Sequence, residues 1–473
     1  MRQLTGSDDL WFALDTTNTP MHVMNVAVYD PSSRDGGRPT IEEVRRHVAG
    51  CLAGLPLRQR LVQVPFLADL PYWVEDEGFD LDDHLSEVAV DGRGDLDDLL
   101  VTLERLAERP LDRSKPLWEL TLVTGLREIP DVDGEAFAVA LKLHHGQFDG
   151  TKLVRLIGRL HSTSPERTTP PDDDWQPESA PGPLDLLSRA PWSAVRRAAR
   201  TAVLAGRSTP DLVRRATSSG RGQASLPATA PPPRTRFSRS IPSRHRVLGF
   251  LERELADVQA MRRLADGATI NDVALALAAG ALRNYLAGHG ELPDGPVVIT
   301  CPISAHRPDE PDDVGNRISA MLVALPTDVA DPIDRLRQVC AATGKAKRAV
   351  GASDPGGIAD LADQLPTNLL HAGYEGYVRL RLADRVPQPF SGVSLTNVPG
   401  PREPLYLDGA RLVRSLSSGF LMEGMGLLLV AGSYCDTFTL QFGSHPSLLP
   451  DPDRLRDCLA ASFTELQRRA AQS

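Results

Sequence analysis

The sequence predicts a mixed α/β chain of two domains joined by a long crossover. Three observations carry this reading. The chain has 473 residues, too long for one ordinary hydrophobic core. A stretch from 165 to 240 opens with "PERTTPPDDDWQPESAPGP" and closes with "SSGRGQASLPATAPPPRTR"; Pro, Ser, Gly and charge dominate both ends, which read as extended linker. On either side of it, strand-like and helix-like segments alternate. The chain therefore divides into 1–164, 165–240 and 241–473.

Each element rests on its own pattern. In the first half "AFAVALKLHH" (136–145) is apolar-rich and strand-like, and "TKLVRLIGRLH" (151–161) repeats apolar residues at helical spacing. Inside the linker, Trp192, Val195 and Ala199 fall at helical spacing, with Arg196, Arg197 and Arg200 mostly on other faces. This predicts a basic, weakly amphipathic helix that either bridges the domains or rests on an anionic lipid surface. In the second half, 295–303, 318–326, 392–398, 426–434 and 437–445 read as strands. Segments 331–349 and 450–472 read as helices opened by Asp-Pro signals. "NVPGP" (397–401) reads as a type II turn, with Pro399 at its second position and Gly400 at its third.

Composition excludes several function classes. With 41% hydrophobic and 24% charged residues, the chain matches an ordinary globular protein. A formal net charge of −10 argues against general nucleic-acid binding, which needs excess Lys and Arg to meet phosphates. Five scattered cysteines without CxxC spacing read as buried thiols in a reducing cytoplasm, not as a disulfide or zinc framework. The N-terminus has no apolar signal core, and no apolar run approaches the ~18 residues of a spanning helix. A cytoplasmic protein is expected, with any membrane contact peripheral.

The stretch with chemical content is "LKLHHGQFDG" (141–150). A strand alternates its side chains, so His144 and His145 point to opposite sides unless the strand ends there. Asp149-Gly150 signals a turn, and a helix follows near Thr151. One imidazole can then face a cavity while the other packs inward. A histidine near its ordinary pKa of about 6.5 can accept a proton from a hydroxyl. Asp149 is placed to hold the loop. Further along, Thr269-Ile-Asn-Asp272 fits a capping box, which puts Asn271 in the first turn of a helix.

His144-His145-Gly-Gln-Phe-Asp149-Gly150 resembles the HHxxxDG signature of the chloramphenicol-acetyltransferase-like acyltransferases. Plant alcohol acyltransferases and nonribosomal-peptide condensation domains share that motif, but other blocks narrow the match. "LTGSDDLWFALDTTNTPMHVMNVAVYD", with its Met21-His22 pair, resembles the N-terminus of bacterial wax ester synthase/diacylglycerol acyltransferases. "LDRSKPLWEL" (111–120), "TINDVALALAAGALRNYL" (269–286), "GNRISAMLVALPT" (315–327) and "LTNVPGPREPLYLDGA" (395–410) match further blocks of that family, in order.

The resemblance implies two chloramphenicol-acetyltransferase-like domains with the active-site channel between them. It implies acyl transfer from acyl-CoA, as co-substrate and without cofactor or metal, to diacylglycerol or a long-chain alcohol at a membrane or lipid-droplet surface. By the family pattern His145 is the general base and Asp149 orders its loop. Asn271 becomes the candidate donor to the oxyanion, while Gly150, Asn397, Pro399 and Gly400 become candidates for shaping the substrate site. Related enzymes pair the motif aspartate with an arginine after a Pro-Val-Ser-type segment; here, in "CPISAHRPDE", His306 stands at that position and Arg307 follows. Two other readings compete: a condensation-type transferase using a carrier-protein thioester, and a non-catalytic protein that binds acyl-CoA or lipid.

Overall fold

The computed structural model describes residues 1–148, 150–166, 175–189, 191, 233–304, 318–352, 366–386 and 391–472. Apolar-rich segments build two six-stranded sheets. In the first, the spatial order is Tyr406–Leu407, Ala410–Ser418, His22–Asp30, Ala136–His144, Trp118–Leu126 and Leu85–Ala89. In the second it is Ile318–Leu325, Val297–Ser304, Val393–Pro399, Leu427–Tyr434, Thr437–Ser444 and Val247–Glu254. A small third sheet joins Arg2–Gln3, Tyr72–Glu75 and Gln59–Val62.

The strands and helices expected from sequence around 136–145, 151–161 and throughout the second half are all present, with ends moved by up to three residues. The sheets, however, do not follow the division of the chain at 165–240. Strand Ala410–Ser418 pairs antiparallel with His22–Asp30, so a segment of the second half completes the first sheet. The predicted helix within 189–215 lies almost wholly outside the described residues.

The first sheet is covered on both faces. Ala27, Tyr29, Val139 and Leu141 look toward helices Ile41–Cys51 and Gly150–Leu160. Met24, Val26, Ala138 and Ala140 look toward helix Leu96–Glu108, whose Leu99, Leu100, Leu103 and Leu106 form one apolar stripe. Asp95 caps that helix by accepting the Asp98 N–H at 2.9 Å. In the second half, helix Ile270–Gly288 is buried on nearly every face between its sheet and helices Pro332–Ala352 and Pro452–Ala470. Thr269 and Asp272 form the capping box that the sequence predicts.

Two expectations are corrected. Gly400 does not have the positive φ a type II turn demands. Pro399 instead ends strand Val393–Pro399, paired in parallel with Ser433. A Cβ on Gly400 would stand 2.1 Å from the Ser433 carbonyl oxygen, so close backbone approach explains the glycine. The cysteines are all free, but only Cys51, Cys301 and Cys458 are buried; Cys340 and Cys435 are partly exposed.

Candidate active site

Strand Ala136–His144 ends at the first histidine because the chain turns at once, and backbone hydrogen bonds fix that turn. The Gln147 and Phe148 N–H groups donate to the His144 carbonyl at 3.0 and 3.2 Å. The His145 N–H donates to Met21 O at 2.9 Å, and the His144 N–H to Leu117 O at 3.0 Å. Gln147 then locks the turn to its surroundings. Its Oε1 accepts the Leu117 N–H at 3.3 Å, and its Nε2 donates to Pro56 O and Gln59 O at 2.7 and 3.1 Å. Leu117 therefore serves the turn through both its backbone groups. Trp118 beside it is core: its Nε1 donates to Leu57 O at 2.7 Å and its indole stacks on His84.

The two histidines separate as the end of a strand requires. His144 is 1% exposed and stacked on Phe12, with ring centroids 4.5 Å apart and planes 2° apart. Its Nδ1 accepts the Gly146 N–H at 3.0 Å, so Nε2 carries the proton and donates to Asp15 Oδ2 at 3.1 Å. Burial pushes the His144 pKa down despite the Asp15 carboxylate, so the ring is neutral. Burial also works to raise the Asp15 carboxyl, but the His144 hydrogen bond and the Arg113 guanidinium at 2.6 Å outweigh it. Asp15 is thus held well below the usual carboxylate range. A Cβ on Gly146 would stand 2.8 Å from the Phe12 ring, which only glycine permits.

His145 lies on the turn, half-buried, between two aromatic rings. Trp11 of helix Gly6–Leu14 packs on it at 4.2 Å between centroids. Phe420, which follows the crossing strand Ala410–Ser418, meets it edge-on at 5.1 Å and 82°. Trp11 and Phe420 also touch each other at 5.3 Å. A residue from each half of the chain therefore flanks His145. Beside it, His22 pairs in register with His144. Burial, with the nearby Lys142 charge, pushes the His22 pKa down to about 3.

Asp149, His306 and Arg307 lie outside the described residues. Gly150 opens helix Gly150–Leu160. Asn397 and Pro399 are exposed near the end of their strand. Asn271 stands half-buried in the first turn of helix Ile270–Gly288, where the capping bonds go to Asp272; no described hydrogen bond joins it to the His145 turn. Sequence reasoning did not single out Trp11, Asp15, Arg113, Gln147 or Phe420. Gln147 carried a signal, since it lies inside the motif; the others are brought in by the fold.

The geometry has counterparts in known proteins. A model of the wax ester synthase/diacylglycerol acyltransferase catalytic domain matches residues 4–274, and that of the corresponding C-terminal domain matches 314–467. A Mycobacterium tuberculosis H37Rv protein, provisionally named a diacylglycerol O-acyltransferase, is 31% identical over 93% of this chain and 91% of its own. Another from the same strain, with the same provisional name, is 32% identical over 100% and 97%. Among solved structures, the wax ester synthase/diacylglycerol acyltransferase of Marinobacter aquaeolei VT8 superposes with a TM-score of 0.66, covering 99% of this chain and 100% of that one at 24% identity. The trichothecene 15-O-acetyltransferase of Fusarium sporotrichioides gives 0.58, at 11% identity over 98% and 95%. At such identities the solved structures speak to the fold, which is the two-domain chloramphenicol-acetyltransferase-like one.

Proposed function

The chain belongs to the wax ester synthase/diacylglycerol acyltransferase family, and from that premise we propose how its residues divide the chemistry. It is an acyltransferase that moves a long-chain acyl group from acyl-CoA to diacylglycerol or a fatty alcohol. His145 acts as general base. It takes the proton of the acceptor hydroxyl as that oxygen attacks the thioester carbonyl carbon. The ester C–O bond forms, the C–S bond breaks, and the departing CoA thiolate recovers the proton from His145. The acceptor oxygen is the nucleophile, so no serine or cysteine is needed.

The observation that carries this role is the placing of His145 on a fixed turn between Trp11 and Phe420, where the two halves of the chain meet. His144 has the opposite character: it is sealed, neutral and committed at both nitrogens. It is the positioning residue of the pair, and Asp149 is proposed to order the same turn. No cofactor enters this scheme. The substrates are nearly insoluble, so the enzyme collects them at a membrane or lipid-droplet surface. We read that contact as peripheral; no described helix is long and apolar enough to cross a membrane.

The test is ester formation followed by mass spectrometry, with palmitoyl-CoA and either dioleoylglycerol or hexadecanol. Wild type should form triacylglycerol or wax ester, and His145→Ala should lose about 10²–10⁴ in rate while remaining folded. A folded His145→Ala keeping more than a tenth of the activity would remove His145 from the mechanism.

A further inference from the structure

We propose that the turn Pro65–Leu67 and the outer face of helix Thr367–Arg379 dock the protein on an anionic lipid surface, with the Phe66 ring inserted among the headgroups. This rests on the acyltransferase reading above and deepens it, because it names the face turned to the lipid that carries the substrate. Phe66 is 90% exposed, and it is the one aromatic side chain among the described residues that stands exposed. A large apolar ring left in water marks a contact that the chain does not make with itself.

The turn is built to hold that ring out. The Leu67 and Ala68 N–H groups donate to the Val64 and Pro65 carbonyls at 3.0 and 3.2 Å. Before the turn, Val64 is 1% exposed and packs with Tyr72, Val74 and Leu186. After it, Asp69 is buried and accepts the Gln3 Nε2–H and the Leu70 N–H, both at 2.8 Å. Between these anchors Phe66 and Leu67 both take positive φ, 63° and 51°. Bulky side chains are strained there, and Phe66 gains no burial within the chain to offset the strain.

The surroundings of the ring are apolar and basic. Helix Thr367–Arg379 lies against the turn. Leu369, Ala372 and Gly373 are exposed on its outer side, and Leu380 continues the same side just past its end. Leu369 and Leu380 are more than half exposed, although an amphipathic helix ordinarily turns such residues inward. Leu184 is also exposed, two residues from the Leu186 that packs on Val64. Arg379, Arg381 and Arg385 follow, all exposed. The acids between 366 and 386 are Glu375 and Asp384, and Asp384 is already bonded to Arg381 at 3.0 Å and to the Ser240 N–H at 2.9 Å. Cations thus outnumber acids here, in a chain of net charge −10. Apolar groups beside cations complement an anionic lipid surface, which offers hydrocarbon beneath charged headgroups. A protein partner needs a broad surface of matching shape, whereas a ring projecting from a turn enters lipid without one.

One helix joins this surface to the reacting centre. Helix Gly6–Leu14 packs against Thr367–Arg379, and the His371 Nε2–H donates to Asp9 Oδ1 at 3.2 Å. Asp9 is 0% exposed. Two residues on, Trp11 packs on His145. Lipid on this face therefore stands one helix away from the general base.

The experiment measures partitioning of the full chain onto vesicles of phosphatidylcholine with phosphatidylglycerol and onto phosphatidylcholine alone, with thermal unfolding alongside. Phe66→Gly should lower the partition coefficient about tenfold, as expected for one phenyl ring taken out of water. Its melting temperature should hold or rise, since glycine adopts a positive φ freely. Phe66→Trp should bind as wild type does, and Leu369→Ser should weaken binding further when added to Phe66→Gly. Arg379→Gln and Arg385→Gln should each cost about fivefold on the anionic vesicles, less in high salt and nothing on phosphatidylcholine alone. Transfer from decanoyl-CoA to hexanol without vesicles should be unchanged in Phe66→Gly, while transfer to dioleoylglycerol in vesicles should fall. Equal partitioning of wild type and folded Phe66→Gly overturns the assignment. So does a wild-type dimer that Phe66→Gly splits into monomers, because the surface then belongs to a second copy of the chain. If wild type binds vesicles through Phe66 but forms no ester, the docking surface stands and the acyltransferase reading fails.

Discussion

Removing the carboxylate of Asp15 tests the idea that the buried histidine is held from outside its own motif. Asp15→Ala strands the His144 Nε2–H in a site 1% exposed, where an unpaired donor costs about 1–3 kcal/mol. It also deprives the Met21 N–H of an acceptor at 3.3 Å. Arg113 is half-exposed and can turn to water, so its pair adds little. A total near 3 kcal/mol is expected. A chain of 473 residues unfolds with an entropy of about 1 kcal/mol/K, so the melting temperature should fall by about 3 °C. The assay is thermal unfolding of wild type, Asp15→Ala, His144→Ala and the double variant. In the His144→Ala background the Asp15 change should cost less than half as much, because no donor is left stranded. Melting within 0.5 °C of wild type, or equal losses in both backgrounds, refutes the coupling. Catalysis should fall as well, since Asp15 braces the Met21 segment whose carbonyl holds the His145 turn.

The remaining predictions concern pH, packing and location. His22 refuses a proton in the fold until about pH 3, whereas the unfolded chain accepts one near 6.5; its stabilisation is full above 6.5 and is lost as pH falls. At pH 5 the loss is about 2 kcal/mol, so His22→Leu should lack about 2 °C of the wild-type drop in melting temperature between pH 7.5 and 5. Gly400→Ala should part the strand pair at Ser433 and lower the melting temperature by about 1–3 °C; unchanged melting would mean the close approach is dispensable. Flotation with anionic liposomes should weaken with salt and on changing Arg196, Arg197 and Arg200 to Gln, each Arg contributing about 1 kcal/mol near such a surface. Equal flotation of the triple variant assigns the lipid contact to another segment.

Local pattern was enough to find the elements. A nearly continuous apolar run marks Ala136–His144, which is buried at every position, and apolar residues mark the strands of the second sheet. Thr269 and Asp272, three residues apart, announce a helix start because their reciprocal bonds are made within one turn. The HHxxxDG stretch likewise places two histidines at the end of a strand. Pairing between distant segments is not written in that way. Asp15 reaches His144 across 129 residues, and Phe420 reaches His145 across the whole linker. Ala410–Ser418 joins the first sheet, although its alternation fits either sheet equally well. Pro-Gly at 399–400 is compatible with a turn or with a close strand approach, and the carbonyl of Ser433 decides between them. Period and caps fix what a segment becomes and which face it buries. Which partner it buries that face against depends on the packing of all the other segments, and that is settled only when the chain has closed on itself.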